Sequence, residues 1–240
     1  MVYLSLGRLS TVTHLSSAAE AEPLGRGGTP LEWRVVSETG PQHPRIGVFG
    51  GTFDPPHIGH LVSAIDVRDR LRLDLVILMV ANIPWQKAGS RKISPAEDRL
   101  AMVRAAVADV PGLVAGDHEI VAGGPSYTAD TLAVLAAEHD GAEFFTIVGA
   151  DAAAGLSTWE RYEEVVERST VVVVDRPGSY AEPATLPGGA EWTRIEVPHL
   201  EVSSTDLRSR IAEGRPLDYL IPAGTLAVIA DRGLYREAAR

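Results

Sequence analysis

From Arg45 onward the chain alternates short apolar runs with longer stretches of helical period. Ile46-Gly47-Val48-Phe49 has the character of a buried strand and leads straight into a glycine-rich turn. His57 to Leu71 then places Ile58, Leu61, Val62, Ile65 and Val67 on one side with charges opposite, which predicts an amphipathic helix. Asp74 to Val80 holds Leu75-Val76-Ile77-Leu78-Met79-Val80, continuously apolar as a parallel strand covered on both faces requires. Ser94-Pro95-Ala96-Glu97 reads as a helix start, with Ser94 as N-cap, Pro95 at the first helical position and Glu97 closing a capping box. That helix is expected to run to about Asp109, before Pro111-Gly112.

The alternation continues to the end of the chain. Leu113 to Val121 is strand-like, Tyr127 to His139 a helix capped by Ser126, Glu143 to Val148 a buried strand and Thr158 to Arg168 a helix. Val171-Val172-Val173-Val174 is strongly β-branched and reads as a strand; residues 175–192 are a Pro/Gly-rich loop, and Thr193 to Val197 is a last strand. Thr205 to Glu213, stopped by Gly214, and Ala223 to Asp231, stopped by Gly233, are terminal helices. Strands and helices alternating at this spacing specify an α/β fold: βαβ units and a doubly wound, mainly parallel sheet.

Residues 1–43 lack any sustained period and are rich in Ser, Ala and Gly, so they read as a disordered extension ahead of a domain at 44–240. No apolar run approaches the ~18 residues of a membrane span, and the N-terminus lacks the basic and apolar regions of a signal peptide. The absence of cysteine removes disulfides, thiol nucleophiles and Cys-based metal sites from consideration. A cytoplasmic protein is expected. The net charge of −10 argues against a nucleic-acid surface, which carries a basic stripe. Small phosphorylated substrates remain compatible with it, since they need only local cations, backbone N–H groups and a divalent metal.

Two constellations carry chemistry. In the first, Gly50-Gly51-Thr52-Phe53-Asp54-Pro55-Pro56-His57-Ile58-Gly59-His60 lies between a strand and a helix. Two glycines allow positive φ and a close approach of backbone N–H groups to an oxyanion. His57 and His60, three residues apart in the first helical turn, share a face, and Gly59 between them leaves room for a nucleotide. The helix dipole adds positive charge at the same point. The stretch lacks the glutamate of a His-Glu-x-x-His zinc site. In the second, Val202-Ser203-Ser204-Thr205 precedes a helix bearing Arg208, one turn in, so that hydroxyls, N–H groups and a guanidinium can gather around an anion.

The first string resembles the phosphate-binding signature of the nucleotidyltransferase superfamily, whose core is His-x-Gly-His, and the second resembles its Ile-Ser-Ser-Thr-x-Ile-Arg signature. The Lys-Met-Ser-Lys-Ser loop of class I aminoacyl-tRNA synthetases is missing. The resemblance implies a Rossmann-like fold and direct attack of a phosphate on the α-phosphorus of ATP. It assigns His57, His60 and Arg208 to catalysis, and Gly50, Gly51, Thr52, Phe53, Asp151, Ser203, Ser204 and Thr205 to ATP. Mg²⁺ would travel on the ATP phosphates, with no metal ligand from protein side chains.

Further segments narrow the resemblance. Asn82-Ile83-Pro84-Trp85-Gln86-Lys87, Gly124-Pro125-Ser126-Tyr127-Thr128-Ala129-Asp130-Thr131-Leu132, Gly149-Ala150-Asp151, Ser157-Thr158-Trp159 and Gly233-Leu234-Tyr235-Arg236 together resemble bacterial nicotinate-nucleotide adenylyltransferases over about residues 45–236. That family joins ATP and nicotinate mononucleotide into deamido-NAD and pyrophosphate. By motif position Asn82, Lys87, Thr128, Trp159 and Arg176 would bind the mononucleotide, with Trp159 stacking on the nicotinate ring and Asp151 taking the adenosine ribose. The family usually has Pro-His where this chain has Trp85-Gln86, so a weaker or differently gated acceptor loop is expected, with Trp85 covering it. The alternatives are another adenylyltransferase, chiefly the phosphopantetheine enzyme, or a non-catalytic nucleotide sensor of the same fold. Partners are then ATP and the mononucleotide, with no nucleic acid and no membrane, and an assembly of like chains is compatible with this reading.

Overall fold

The computed structural model of the protein describes residues 43–84, 93–175, 192–198 and 200–236. The apolar runs become strands β1 (Arg45–Gly51), β2 (Leu75–Val80), β3 (Leu113–Gly116), β4 (Glu143–Gly149), β5 (Ser169–Asp175) and β6 (Trp192–Glu196). They form one sheet in the order β3-β2-β1-β4-β5-β6, and every neighbouring pair is parallel. This is the doubly wound order, in which connections from β1 and β4 leave in opposite directions and open a crevice between their carboxyl ends. The helices are α1 (Ile58–Arg70), α2 (Ala96–Val107), α3 (His118–Ala122), α4 (Thr128–Glu138), α5 (Ala150–Ala154), α6 (Tyr162–Arg168), α7 (Ser204–Ala212) and α8 (Ala223–Arg232).

Strand β2 shows why the sequence folds this way. All its residues are buried, and successive side chains go to opposite faces. Val76, Leu78 and Val80 join Leu61, Ala64 and Val67 of α1 and Leu100 and Val103 of α2. Leu75, Ile77 and Met79 join Ala129, Leu132 and Leu135 of α4 and Val165 of α6. Burying each such side chain contributes about 1.5–3 kcal/mol. A third packing group, Met102, Leu207, Ile221 and Ile229, fastens α7 and α8 to α2. There α8 comes so close that a Cβ on Gly224 would lie 2.6 Å from the Ala105 carbonyl oxygen. The backbone N–H of Ile58, opening α1, also donates to Leu220 O at 3.0 Å, which ties the first helix to the segment between α7 and α8.

Several local expectations are corrected. Ser94 does not cap α2: Pro95 holds the N-cap position with no side-chain cap, while Ser94 is drawn away, its N–H to Asp54 Oδ2 at 3.4 Å and its carbonyl to Arg99 Nε at 2.9 Å. The strand expected over Leu113–Val121 ends at Gly116, and residues from His118 form α3 instead. Gly116, the last strand residue, has no room for a side chain, since a Cβ there would meet Ile77 Cγ2 at 2.6 Å. Ser126 does not cap α4: the N-cap position falls on Tyr127, with no side-chain cap, and the Ser126 oxygen accepts the Asn82 N–H at 2.8 Å instead. The helix expected from Thr158 is interrupted: a 3-10 turn at Leu156–Thr158 precedes Arg161 at φ 53°, and α6 starts only at Tyr162. The expectations for residues 1–42 and for the loop at 176–191 lie outside the described residues.

One buried charge holds the carboxyl edge of the sheet together. Arg99, 1% exposed, sits on the apolar stripe of α2. It donates from Nε to Ser94 O (2.9 Å), from Nη1 to Thr52 O (3.0 Å) and Ala81 O (2.6 Å), and from Nη2 to Asn82 O (2.9 Å). The loops leaving β1 and β2 are thereby fixed side by side. Arg99→Leu should lower unfolding stability in urea by at least about 3 kcal/mol, since buried carbonyls lose their donor; Arg99→Lys should lose less, retaining part of the set.

Candidate active site

The carboxyl ends of β1 and β4 open onto a cleft of about 500 Å³. Gly50, Gly51 and Thr52 form its floor with Val148 and Gly149, and Thr128 and Trp159 stand on its walls. The glycines act differently from the sequence expectation. Neither takes positive φ, both being part of β1; among the described residues of this turn only Phe53 does, at φ 50°. Gly50 has nothing within 4 Å of where a Cβ would be, so the backbone borders open cleft there. A Cβ on Gly51 would collide with the Phe53 ring at 2.7 Å. Phe53 is itself 2% exposed, so its ring supports the turn from beneath, leaving its backbone to meet a ligand.

Beyond the turn, His57 is the N-cap residue of α1 and His60 its third residue. Their rings are stacked with centroids 3.7 Å apart, and the Phe53 ring stands edge-on to His60 at 5.0 Å. His60 Nδ1 accepts the His57 backbone N–H at 3.2 Å, which places the proton of a neutral imidazole on Nε2 and makes that nitrogen the donor. Gly59 has a role not foreseen, since a Cβ there would press on the His57 ring at 3.1 Å. The missing side chain makes room for the imidazole.

The second constellation comes to the same corner. Ser203 caps α7 by accepting the Asp206 N–H at 3.2 Å. Ser204 Oγ donates to Pro55 O at 2.8 Å, and Arg208 donates from Nη1 to Asp54 O (2.8 Å) and from Nη2 to Thr205 Oγ1 (3.1 Å). Segments about 150 residues apart thus meet, 149 and 154 residues separating the paired groups. The arrangement joins two imidazoles, the N-termini of α1 and α7 and a guanidinium, which suits a polyphosphate lying along the turn.

On the opposite side, Thr128 is the first residue of α4 and Trp159 lies half-buried, its Nε1 buried without a hydrogen-bond partner among the described residues. Asn82 does not line the cleft; its Nδ2 donates to Gly124 O at 2.9 Å and its N–H to Ser126 Oγ. It shapes the wall through these bonds. Lys87 and Arg176 lie outside the described residues, as do Trp85 and Gln86; Asp151 belongs to α5 by its backbone, and its side chain is likewise outside the description.

Three residues of the site were given no role by the sequence. Arg99 was visible in principle, as a charge among Leu100, Met102, Val103 and Ala106 on the inward side of its helix. Tyr235 donates its hydroxyl to Asp54 Oδ1 at 2.6 Å, and Asp54 is 1% exposed. Burial first, then the Asp54 carboxylate, pushes the Tyr235 phenol above its ordinary range, so it stays a neutral donor under the phosphate turn. Glu119 lines the cleft, and burial raises its carboxyl above the usual range. The segment around Tyr235 stood out in the sequence but its bond to Asp54, 181 residues away, did not, and no local pattern marks Glu119.

Comparison with known proteins agrees with this geometry. Residues 48–210 match the family model described as cytidylyltransferase-like. A probable nicotinate-nucleotide adenylyltransferase from Corynebacterium kroppenstedtii is 43% identical over 199 residues, covering 82% of this chain and 94% of its own. A protein of the same description from Saccharopolyspora erythraea is 44% identical over 192 residues, covering 80% and 90%. Among solved structures, Plasmodium falciparum nicotinic acid mononucleotide adenylyltransferase complexed with NaAD aligns over 82% of this chain and 100% of its own, with a TM-score of 0.64 and 16% identity. That last likeness establishes the shared fold. On the sequence relatives and the family model, the chain belongs to the nicotinate-nucleotide adenylyltransferases, a branch of the cytidylyltransferase-like nucleotidyltransferases.

Proposed function

We propose that this protein transfers the adenylyl group of ATP to nicotinate mononucleotide, releasing pyrophosphate and forming deamido-NAD, a step of NAD biosynthesis. The observation that carries the reading is the junction at one sheet edge of two sites: the His57/His60 turn met by α7, and the cleft between Thr128 and Trp159. An oxygen of the mononucleotide phosphate attacks the α-phosphorus of ATP, and the bond from that phosphorus to the bridging oxygen of the β-phosphate breaks as pyrophosphate leaves. No covalent enzyme intermediate is required. Positioning and charge stabilisation do the work.

In this reading His57, His60 Nε2 and Arg208 stabilise charge on the phosphates in the transition state. Gly50, Gly51, Thr52, the Phe53 backbone, Ser203, Ser204 and Thr205 hold ATP, with Asp151 at its ribose. Thr128 and Trp159 take the nicotinate ring, Asn82 shapes that wall, and Lys87 and Arg176 neutralise the acceptor phosphate. Mg²⁺ bound to the ATP phosphates would supply further charge neutralisation; among the described residues no three His, Asp or Glu side chains are grouped to hold a metal. No helix among the described residues is long and apolar enough to cross a membrane. A cytoplasmic enzyme without nucleic-acid partners fits a role on soluble nucleotides, and a homo-oligomer is compatible with it.

The decisive experiment measures pyrophosphate release from ATP and Mg²⁺ with each candidate acceptor. Turnover is expected with nicotinate mononucleotide; turnover with phosphopantetheine alone, or with no acceptor at all, would overturn the proposal. His60→Ala should lower kcat by about 10²-fold or more, the scale of one lost transition-state donor. An unchanged kcat would remove His60 from the chemistry.

A further inference from the structure

Tyr235 stands outside the two motifs that meet at the phosphate turn, yet its hydroxyl reaches into the turn itself. The chain leaves α8 through Gly233 in the left-handed region, at φ 63°, and the Leu234 N–H closes the helix end on Ile229 O at 3.0 Å. Tyr235 then also takes a left-handed backbone, φ 61°, which a bulky side chain seldom adopts. Such a conformation persists only where its surroundings over-determine it. Here Leu234 and Tyr235 pack on the group formed by Met102, Leu207, Ile221 and Ile229, and the phenol hydroxyl meets Asp54.

The hydroxyl has one proton to give, and it lies 2.6 Å from Asp54 Oδ1 and 3.8 Å from Met102 Sδ, so the carboxylate takes it. Hydroxyl bonds to a charged carboxylate have that short length. Asp54 Oδ2 accepts the Ser94 N–H at 3.4 Å, and the residue is 1% exposed, so its charge is engaged in the interior of the protein. The carbonyl of the same residue accepts Arg208 Nη1 at 2.8 Å. Asp54 is therefore held by its side chain while its carbonyl holds the guanidinium. A residue pinned at its side chain cannot freely turn its peptide. The direction of that carbonyl, and with it the seat of Arg208, depends on the Tyr235 bond.

We propose that Tyr235 is a positioning residue for adenylyl transfer: its hydroxyl fixes Asp54, and the Asp54 carbonyl sets the guanidinium of Arg208 against the phosphates. The inference rests on the role given to Arg208 above and extends the machinery to the segment after α8, 181 residues from the turn. It also accounts for a carboxylate within a turn that receives phosphates, since that charge is satisfied from inside by the phenol. Tyr235 touches no substrate in this arrangement and acts through Arg208.

Tyr235→Phe removes the hydroxyl and keeps the ring that packs beside Met102. The test compares it with the unaltered protein, with Arg208→Ala and with the double variant, each folded by circular dichroism, measuring kcat and both KM values by pyrophosphate release. The expected result is a kcat about tenfold lower in Tyr235→Phe, the scale of one lost charge-assisted hydrogen bond, with the KM for nicotinate mononucleotide within about twofold. Because the loss passes through Arg208, the same change should lower kcat by less than about twofold further once Arg208 is alanine. A hydroxyl that served stability alone would not lose its effect in that background. An unchanged kcat, a further fall of about twofold or more in the Arg208→Ala background, or an acceptor KM raised as much as kcat falls would each overturn the proposal. If Tyr235→Phe does not fold, Asp54→Asn, which keeps the side-chain shape and makes the charged acceptor neutral, is judged by the same criteria. Amide hydrogen exchange over residues 54–60 without ligand should quicken in the variant used, and unchanged exchange would also overturn the proposal. That readout needs no turnover. If the unaltered protein did not use nicotinate mononucleotide, the acceptor assignment would fail while the exchange result still judged Tyr235.

Discussion

The guanidinium of Arg99, carried by α2, is the buried charge to which the exits of β1 and β2 are fastened. Its bonds to the carbonyls of Thr52, Ala81, Asn82 and Ser94 hold the exits of β1 and β2 and the entry to α2 in one plane of donors. Parallel strands finish with carbonyls and N–H groups that the next loop must satisfy, and a loop that stays open to ligands cannot satisfy them all by itself. A rigid fork of donors resolves this where a compact ammonium could reach only part of the set. The β1 exit is the floor of the cleft and the root of the phosphate turn, so the position of both follows from this buried cation.

Above that base, the phosphate turn is secured by groups brought from the far end of the chain. Ser204 and Arg208 bind the carbonyls of Pro55 and Asp54, and Tyr235 binds the Asp54 carboxylate. Their presence depends on the packing of α7 and α8 against α2 through Met102, Leu207, Ile221 and Ile229. The stacked pair His57 and His60 thus lies against the Phe53 ring, in a turn whose backbone is bound by the C-terminal segments on both sides of His57. Preorganisation of this kind is what a reaction governed by charge stabilisation requires, because donors already in place need no reorganisation as the transition state forms.

Much of this was legible in the chain. The strands β1, β2, β4 and β5 appear as apolar runs of the right length, since a strand covered on both faces must be apolar throughout. The strings Gly50–His60 and Ser203–Arg208 stand out because each concentrates its donors within one loop and one helical turn. Local capping signals were less dependable. Ser94 and Ser126 both look like helix caps, yet tertiary partners claim them: Asp54 and Arg99 engage the backbone of Ser94, and the Asn82 N–H the hydroxyl oxygen of Ser126. A hydroxyl near a helix start has several possible partners of similar strength, and the packed fold chooses among them.

The sequence by itself determined the doubly wound sheet, the place of the nucleotide turn at its edge, and the chemistry of the residues there, because periodicity and short-range donor spacing are local properties. The tertiary structure decided which of those groups face one another. It made Gly50 a border of open cleft, packed Gly51 over the Phe53 ring, set Gly59 to accommodate His57, and joined Tyr235 to Asp54 across 181 residues. Such pairings depend on burial and on distances between remote segments, and these exist only once the two faces of the sheet have been covered.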